Sequence, residues 1–416
     1  MKIIKTAVSA ALAAAVSFSA QAAEVEVLHW WTSGGEAASA AELKRMLEER
    51  GHTWKDFAVA GGGGESAMTV LKTRVVSGNA PTAAQIKGPS IQEWGDEGVL
   101  ADIDELAEAE GWDDLLPEVV AEAMKYDGHY VAVPVNVHRV NWLWSNPEVF
   151  EKAGAELPTT WDEFFVAADK IKAAGFTALA HGGQPWQDAT TFEAVALGVG
   201  GTDFYTKAFV DLDADALSGE TMVKVLETYR KTRQYTDAGA PGRDWNLATA
   251  MVINGEAAMQ IMGDWAKGEF TAAGKVPGKD YVCSAAPGTL DAFTFNIDSF
   301  VMFALDGEDA SEGQADLAST ILSPAFQEVF NLNKGSIPAR LNLPMDKFDD
   351  CAKLSGADFV ATAETGKLVP SMAHGMSTFS SVQGAIFDVV TEFYNDESIS
   401  AEAAARKMLS AVQSAQ

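Results

Sequence analysis

Apolar positions recur with two alternating periods over the first hundred residues that follow Ala22. Val25 to Trp30 reads as a strand, and Glu36 to Arg50 puts Leu43, Met46 and Leu47 on one helical face. Trp54 to Val59 reads as a second strand, and the glycine run Gly61 to Gly64 leads into a helix over Glu65 to Val76. The turn Ser77-Gly78-Asn79-Ala80-Pro81 precedes a small-residue strand, Thr82 to Ile86. That strand closes on Lys87-Gly88-Pro89 and a short helix from Ser90 to Glu97. Such a succession builds parallel βα units.

The pattern changes at Tyr126. Asp127-Gly128 is a turn, and His129 to Arg139 is one long β-rich run carrying Pro134. Asn141 to Ser145 continues it, before a helix that begins over Pro147 to Ala153. A run this long, interrupted by proline, suits a crossover between two lobes. In Pro158 to Phe164, Thr160 caps a helix and Glu163 reaches back in a capping box. Helices then dominate to Phe270, strand character returns at Tyr281 to Pro287 and Phe293 to Leu305, and the tail from Gln314 is mostly helical. Lys334-Gly335-Ser336-Ile337-Pro338 breaks that tail. With no internal repeat and no low-complexity tether, several chain passes join the lobes. The expected fold is α/β, two lobes around a cleft, each with a mixed sheet flanked by helices. A multi-segment hinge is expected near Val133-Pro134-Val135 and Ile297 to Phe300. The expected limits are 23–133 with 299–340 for the N-terminal lobe, and 134–298 with 341–416 for the C-terminal lobe.

The leading segment and the cysteines set the compartment. Lys2 and Lys5 precede an alanine-rich apolar core, Ala7 to Phe18, and Ala20-Gln21-Ala22 fits a signal-peptidase site. Residues 1–22 therefore read as a signal peptide, with an exported, soluble product starting at Ala23. No cysteine stands at the cleavage point to carry a lipid. The product keeps 28 basic against 59 acidic side chains, a net charge of −31. That surface repels nucleic acid and anionic lipid. Cys283 and Cys351 are expected to form one disulfide, since a lone pair in an oxidising compartment is normally bridged.

Catalytic and metal motifs fail. The six histidines, His29, His52, His129, His138, His181 and His374, show no i, i+4 pair, and there is no Cys-x-x-Cys. A zinc site therefore has no local support, and no metal or cofactor is expected. Gly61 to Gly64 lacks the Gly-Lys-Ser/Thr of a phosphate loop and reads as a flexible connection; no Gly-x-Ser-x-Gly elbow is present. What remains lies in turns and at strand ends. A strand would send Trp30 and Trp31 to opposite faces, one inward and one to a cleft, with Glu36 close behind. An indole beside hydroxyls and a carboxylate suits a polyhydroxylated ring, whose C–H face stacks while its rim hydroxyls hydrogen-bond. Lys87, Asp264, Trp265, Asn296, Asp298, Lys334 and His374 fall in comparable places, beyond the carboxyl ends of strands where open α/β lobes bind ligands. Trp142, Trp144, Trp161 and Trp186 are assigned mostly to the core. Each candidate has a plainer reading: solvated lysines, a glutamate complementing a helix N-terminus, a satisfied turn histidine.

Over essentially the whole mature length the chain resembles the periplasmic sugar-binding proteins of ABC transporters, and most of all their glucose-binding subgroup. The resemblance rests on His29-Trp30-Trp31 with Gly35-Glu36, on Ser77 to Pro81, Tyr126 to Pro134 and Pro158 to Phe164, and on Lys334 to Pro338. It implies a two-lobed periplasmic binding protein fold and ligand contacts by Trp30, Trp31, Glu36, Lys87, Asn296, Lys334 and His374, with Trp265 as an aromatic wall. Asp264 and Asp298 adjoin matched positions. The implied function is capture of a monosaccharide, glucose foremost, by a monomeric protein that delivers it to a membrane permease without chemistry or cofactor. In that reading Lys334 and His374 both donate to sugar hydroxyls. The alternatives are a secreted glycoside hydrolase, which needs two carboxyl groups flanking the scissile bond, and a binder of an oligosaccharide or another polar solute.

Overall fold

A computed structural model describes residues 23–416, so the expected signal peptide lies outside the described residues. The strand Glu24–His29 pairs in parallel with Thr53–Ala58 and Ala83–Gln85, as the βα periodicity requires. Two antiparallel strands, Ser299–Met302 and Ala132–Pro134, complete a five-stranded sheet. The helix Gly34–Glu49 buries Leu43 and Leu47 on it, while Met46 is half-buried. Each such aliphatic side chain contributes about 1.5–3 kcal/mol of burial. This is the N-terminal lobe.

The C-terminal lobe is built on a second sheet, in which Trp142–Ser145 runs antiparallel to both Val282–Ala285 and Ala257–Ile261. Ala257–Ile261 is parallel to Thr177–Leu179 on its other side. The helix Trp161–Ala173 packs Phe164, Phe165 and Ile171 into this core. It starts with the expected capping box. Thr160 Oγ1 accepts from Glu163 N–H at 3.2 Å, and Glu163 Oε2 accepts from Thr160 N–H at 3.2 Å.

A third sheet joins the lobes: Ile337–Pro338, Asn136–Arg139, Phe293–Asn296 and Leu368–Pro370. The single run expected over His129 to Arg139 is three strands in three sheets, His129–Tyr130, Ala132–Pro134 and Asn136–Arg139. Its linkers leave the ladders because their N–H groups bond elsewhere, Val131 to Met124 O at 3.1 Å and Val135 to Asp298 O at 2.8 Å. The Val135 bond fastens the outgoing crossover to the returning one at Ile297-Asp298. The tail serves both lobes: Phe348, Ala352 and Phe359 pack in the N-terminal core, whereas Met372, Val390 and Met408 pack in the C-terminal one.

Cys283, on an edge strand of the C-terminal sheet, is bridged to Cys351 in the first turn of the helix Asp350–Thr365, with Cα atoms 6.2 Å apart. Lys267 Nζ, 3.0 Å from both oxygens of Asp349, ties the same helix start to the same lobe. The chain-entropy model gives such a long loop about 4 kcal/mol of stabilisation. Thiol titration of denatured, unreduced protein is expected to find no free thiol; two reactive thiols per chain would contradict the bridge.

Candidate functional site

One cavity opens where the two lobes meet the joining sheet. The first strand ends at His29, so Trp30 and Trp31 lie in the following turn and both line the cavity. The opposed placement expected of a strand is corrected. Trp31 is wedged edge-on against Phe300, with ring centres 5.4 Å apart, and lies 5.1 Å from Phe330. Lys87 Nζ stands 5.4 Å from the Trp30 ring centre, and Lys334 Nζ 5.7 Å from that of Trp31.

The charges beneath these rings are paired. Lys334, last residue of the helix Pro324–Lys334, donates to Glu36 Oε1 at 2.6 Å, and both side chains are buried. The other oxygen of Glu36 accepts from Ser33 Oγ at 3.1 Å, so one carboxylate finishes the helix N-terminus and holds the lysine. Asp298 lies 4.0 Å from Lys87 Nζ. It also accepts from His138 Nε2 at 2.9 Å, while His138 Nδ1 bonds Asp264. Burial alone would push the His138 imidazole down, but the two aspartates outweigh it and raise its pKa, so it is a cation. For Asp298 burial pushes up, and His138, Lys87 and Lys334 reverse this to hold the carboxylate well below its usual range. Burial lowers the Lys87 ammonium, with Asp298 opposing and Lys334 adding to the shift.

The facing wall comes from the C-terminal lobe. Trp265 stands edge-on to both His138, 5.1 Å away, and His374, 4.7 Å away. Trp186 lies 5.9 Å from His374. Burial pushes the His374 imidazole well below the usual histidine range, and the charges of Lys87 and His138 add to this, so the ring is neutral. Thr190 Oγ1 donates to Trp186 O at 2.8 Å and therefore accepts from His374 Nε2–H at 3.2 Å. That leaves Nδ1 of His374 as an acceptor. The ring thus offers the cavity an acceptor, where the resemblance implies a donor.

Of the ten residues singled out in the sequence, nine line this cavity: Trp30, Trp31, Glu36, Lys87, Trp265, Asn296, Asp298, Lys334 and His374. Asp264 does not. It sits behind the wall, with Oδ1 on His138 and Oδ2 accepting from Arg139 N–H at 2.9 Å. His138, Trp186, Trp245, Gly62 and Gly63 also line the cavity and were missed. Hydrophobic pattern assigns Trp186 mostly to the core, although its position straight after Gln184-Pro185, at the mouth of a helix, is a usable signal. The glycine run is no loose connection either. A Cβ on Gly62 would stand 2.7 Å from Trp186 and 3.0 Å from Trp245, across the cleft. Gly62 and Gly63 lie against tryptophans of the other lobe, while Gly61, Gly63 and Gly64 also take a left-handed φ that favours glycine.

The cavity holds about 30 Å³ in this closed arrangement. Two of its lining side chains carry buried polar atoms with no partner, Trp31 Nε1 and Asn296 Oδ1. Buried polar groups are normally satisfied, and these two adjoin the cavity. Among the described residues one trio could ligate a metal ion, Asp102, Asp104 and His129; none of the three lines the cavity. No helix among the described residues is long and apolar enough to cross a membrane.

Known proteins place the chain among relatives. It is 50% identical over 414 residues to a "Probable sugar-binding periplasmic protein" of Rhizobium meliloti (strain 1021), spanning 100% of this chain and 99% of that one. A protein of the same name in Brucella suis is 51% identical over 391 residues, 94% and 92% of the two chains. The solved bacterial solute receptor AcbH, described as having an exclusive preference for β-D-galactopyranose, superposes with a TM-score of 0.79 at 18% identity, covering 94% of this chain and 98% of its own. The family pattern described as bacterial extracellular solute-binding protein matches residues 35–303, and the chain belongs to that family.

Proposed function

We propose that this chain binds a monosaccharide, glucose foremost, in the periplasm and hands it to the permease of an ABC transporter. The observation that carries the reading is the lining of the cavity. Indoles from both lobes face one another across fixed cations, carboxylates and unpaired amide and indole groups. Rings stack a sugar's C–H faces, and the polar groups take its hydroxyls. The names of the relatives from Rhizobium and Brucella support sugar as the ligand class. A volume of about 30 Å³ is that of a few waters, so a single ring enters by separation of the lobes. A chain of several rings would need a far wider opening. The sugar then shifts the population toward the closed form, because only there do both walls touch it.

Hydrolysis is less well supported. It needs a carboxyl group with a raised pKa at the cavity, whereas Asp298 is held ionised and Glu36 is committed to Lys334. Titration calorimetry against mono- and oligosaccharides tests the reading. Stoichiometric binding of glucose or a close epimer is expected, and a preference for an oligosaccharide, or for no sugar, would overturn it. Lys334→Ala and His374→Ala each remove one polar partner in a dry cleft, at about 1–3 kcal/mol, and Lys334→Ala also leaves the buried Glu36 carboxylate without its cation. The dissociation constant should rise roughly fivefold to 150-fold, beside an unaffected exposed control, Lys172→Ala. Wild-type affinity in both variants would remove these residues from the site.

A further inference from the structure

Glu193 lies on the helix Pro185–Phe209, is 1% exposed, and does not line the cavity. Its carboxylate accepts from Tyr205 Oη at 2.9 Å, from Ser371 Oγ at 2.7 Å and from Ala373 N–H at 3.1 Å. Tyr205 Oη in turn accepts from Met372 N–H at 3.0 Å, and Ser371 Oγ accepts from His374 N–H at 3.1 Å. The backbone N–H groups of three successive residues, Met372, Ala373 and His374, are thus all held by Glu193, directly or through one side chain. The same helix carries Thr190, which receives the His374 imidazole.

We infer that Glu193 is the positioning residue of the ligand site, fixing the turn 371–374 so that His374 presents its free ring nitrogen to the sugar. The inference rests on the proposed function only in taking His374 to face the ligand. Burial drives the Glu193 pKa up to about 7 against hydrogen bonds from Ala373, Ser371, Tyr205 and Met372 that favour the ionised form. A buried carboxyl so placed costs more than an apolar side chain would for folding alone. Its position is accounted for by the turn it orders, much as outer partners orient the ligands of a metal.

Glutamine keeps the geometry, with its carbonyl accepting from Tyr205 and Ala373 and its amide donating to Ser371 Oγ. Alanine does not. With D-glucose and D-galactose as probes in calorimetry, Glu193→Gln should stay within about threefold of wild type, and Glu193→Ala should bind about tenfold or more weakly. In a His374→Ala background Glu193→Ala should add no further loss, because the two act as one unit. Should Glu193→Ala fail to fold, Ser371→Ala removes one link and should show the same non-additivity at smaller amplitude. The imidazole ¹⁵N signals of His374 in sugar-free protein should move in the alanine variants and stay in Glu193→Gln. Additive losses, or an unmoved His374 signal in the alanine variants, would overturn the positioning role. If wild type binds neither sugar, the proposed function fails, while the imidazole spectra still decide the role of Glu193.

Discussion

Replacing His138 with leucine is expected to lower the unfolding free energy by about 3–5 kcal/mol, the cost of breaking a buried charge pair from one side. The imidazolium sits between Asp264 and Asp298, all three buried, and its loss leaves two carboxylates facing an aliphatic group. The effect should carry a pH signature. His138 has a raised pKa in the native state, so the folded chain holds its proton more tightly than the unfolded chain, which releases it near 6.5. Its contribution is complete below about 6.5 and is lost as pH climbs through the native value. Asp298 is depressed, so its share is complete above the unfolded carboxylate value of about 3.9 and is lost as pH falls through the native one. The network should therefore stabilise wild type most between those two pH values, and His138→Leu should lose that maximum. Urea unfolding across pH 3 to 9 measures both. A variant within about 0.5 kcal/mol of wild type at pH 5.5, the range of an inert surface change, would show that the three groups are not coupled.

His138 also marks where the sequence ceased to be legible. The site residues that could be read fall in local signals: a tryptophan pair before a turn, lysines closing a strand or a helix, a histidine between alanine and glycine. His138 stands inside a strand, and its importance comes from Asp264, 126 positions away, and Asp298, 160 positions away. No periodicity encodes those meetings. The fold was more legible, because strand and helix periods are local. The Glu65–Val76 helix has the expected bounds, a helix begins at Pro147 as expected, and the first βα units pair in parallel. The run over His129 to Arg139 reads as one strand although three sheets share it, because sheet membership depends on distant partners such as Ser299–Met302 and Phe293–Asn296. Trp186 meets a related limit. It is 4% exposed and packs with the C-terminal core, yet one face turns to the cleft. Hydrophobic pattern cannot separate a core indole from one that buries itself by closing a lobe.

That last distinction yields the sharpest test of closure. Gly62→Ala is expected to weaken sugar binding roughly fivefold to 150-fold while leaving the sugar-free protein intact. Gly62 has no left-handed backbone torsion, so alanine meets no conformational strain there. What it meets is the other lobe, with a Cβ 2.7 Å from Trp186 and 3.0 Å from Trp245. Overpacking of this kind costs about 1–3 kcal/mol. If the sugar-free protein rests open, that cost falls on the closed state alone and comes directly out of the affinity, because a ligand that needs closure must supply the difference. Unfolding free energy without sugar should stay within about 0.5 kcal/mol of wild type, as for a substitution on an open surface. Small-angle scattering should show wild type compacting with saturating glucose and the variant compacting less. Unchanged affinity in Gly62→Ala would mean that the loop yields and that its contact with Trp186 is not part of closure. A sugar-free variant destabilised by 1 kcal/mol or more, the low end of the overpacking cost, would show instead that the closed arrangement is the resting state, with Trp186 already seated on the glycine loop before any ligand arrives.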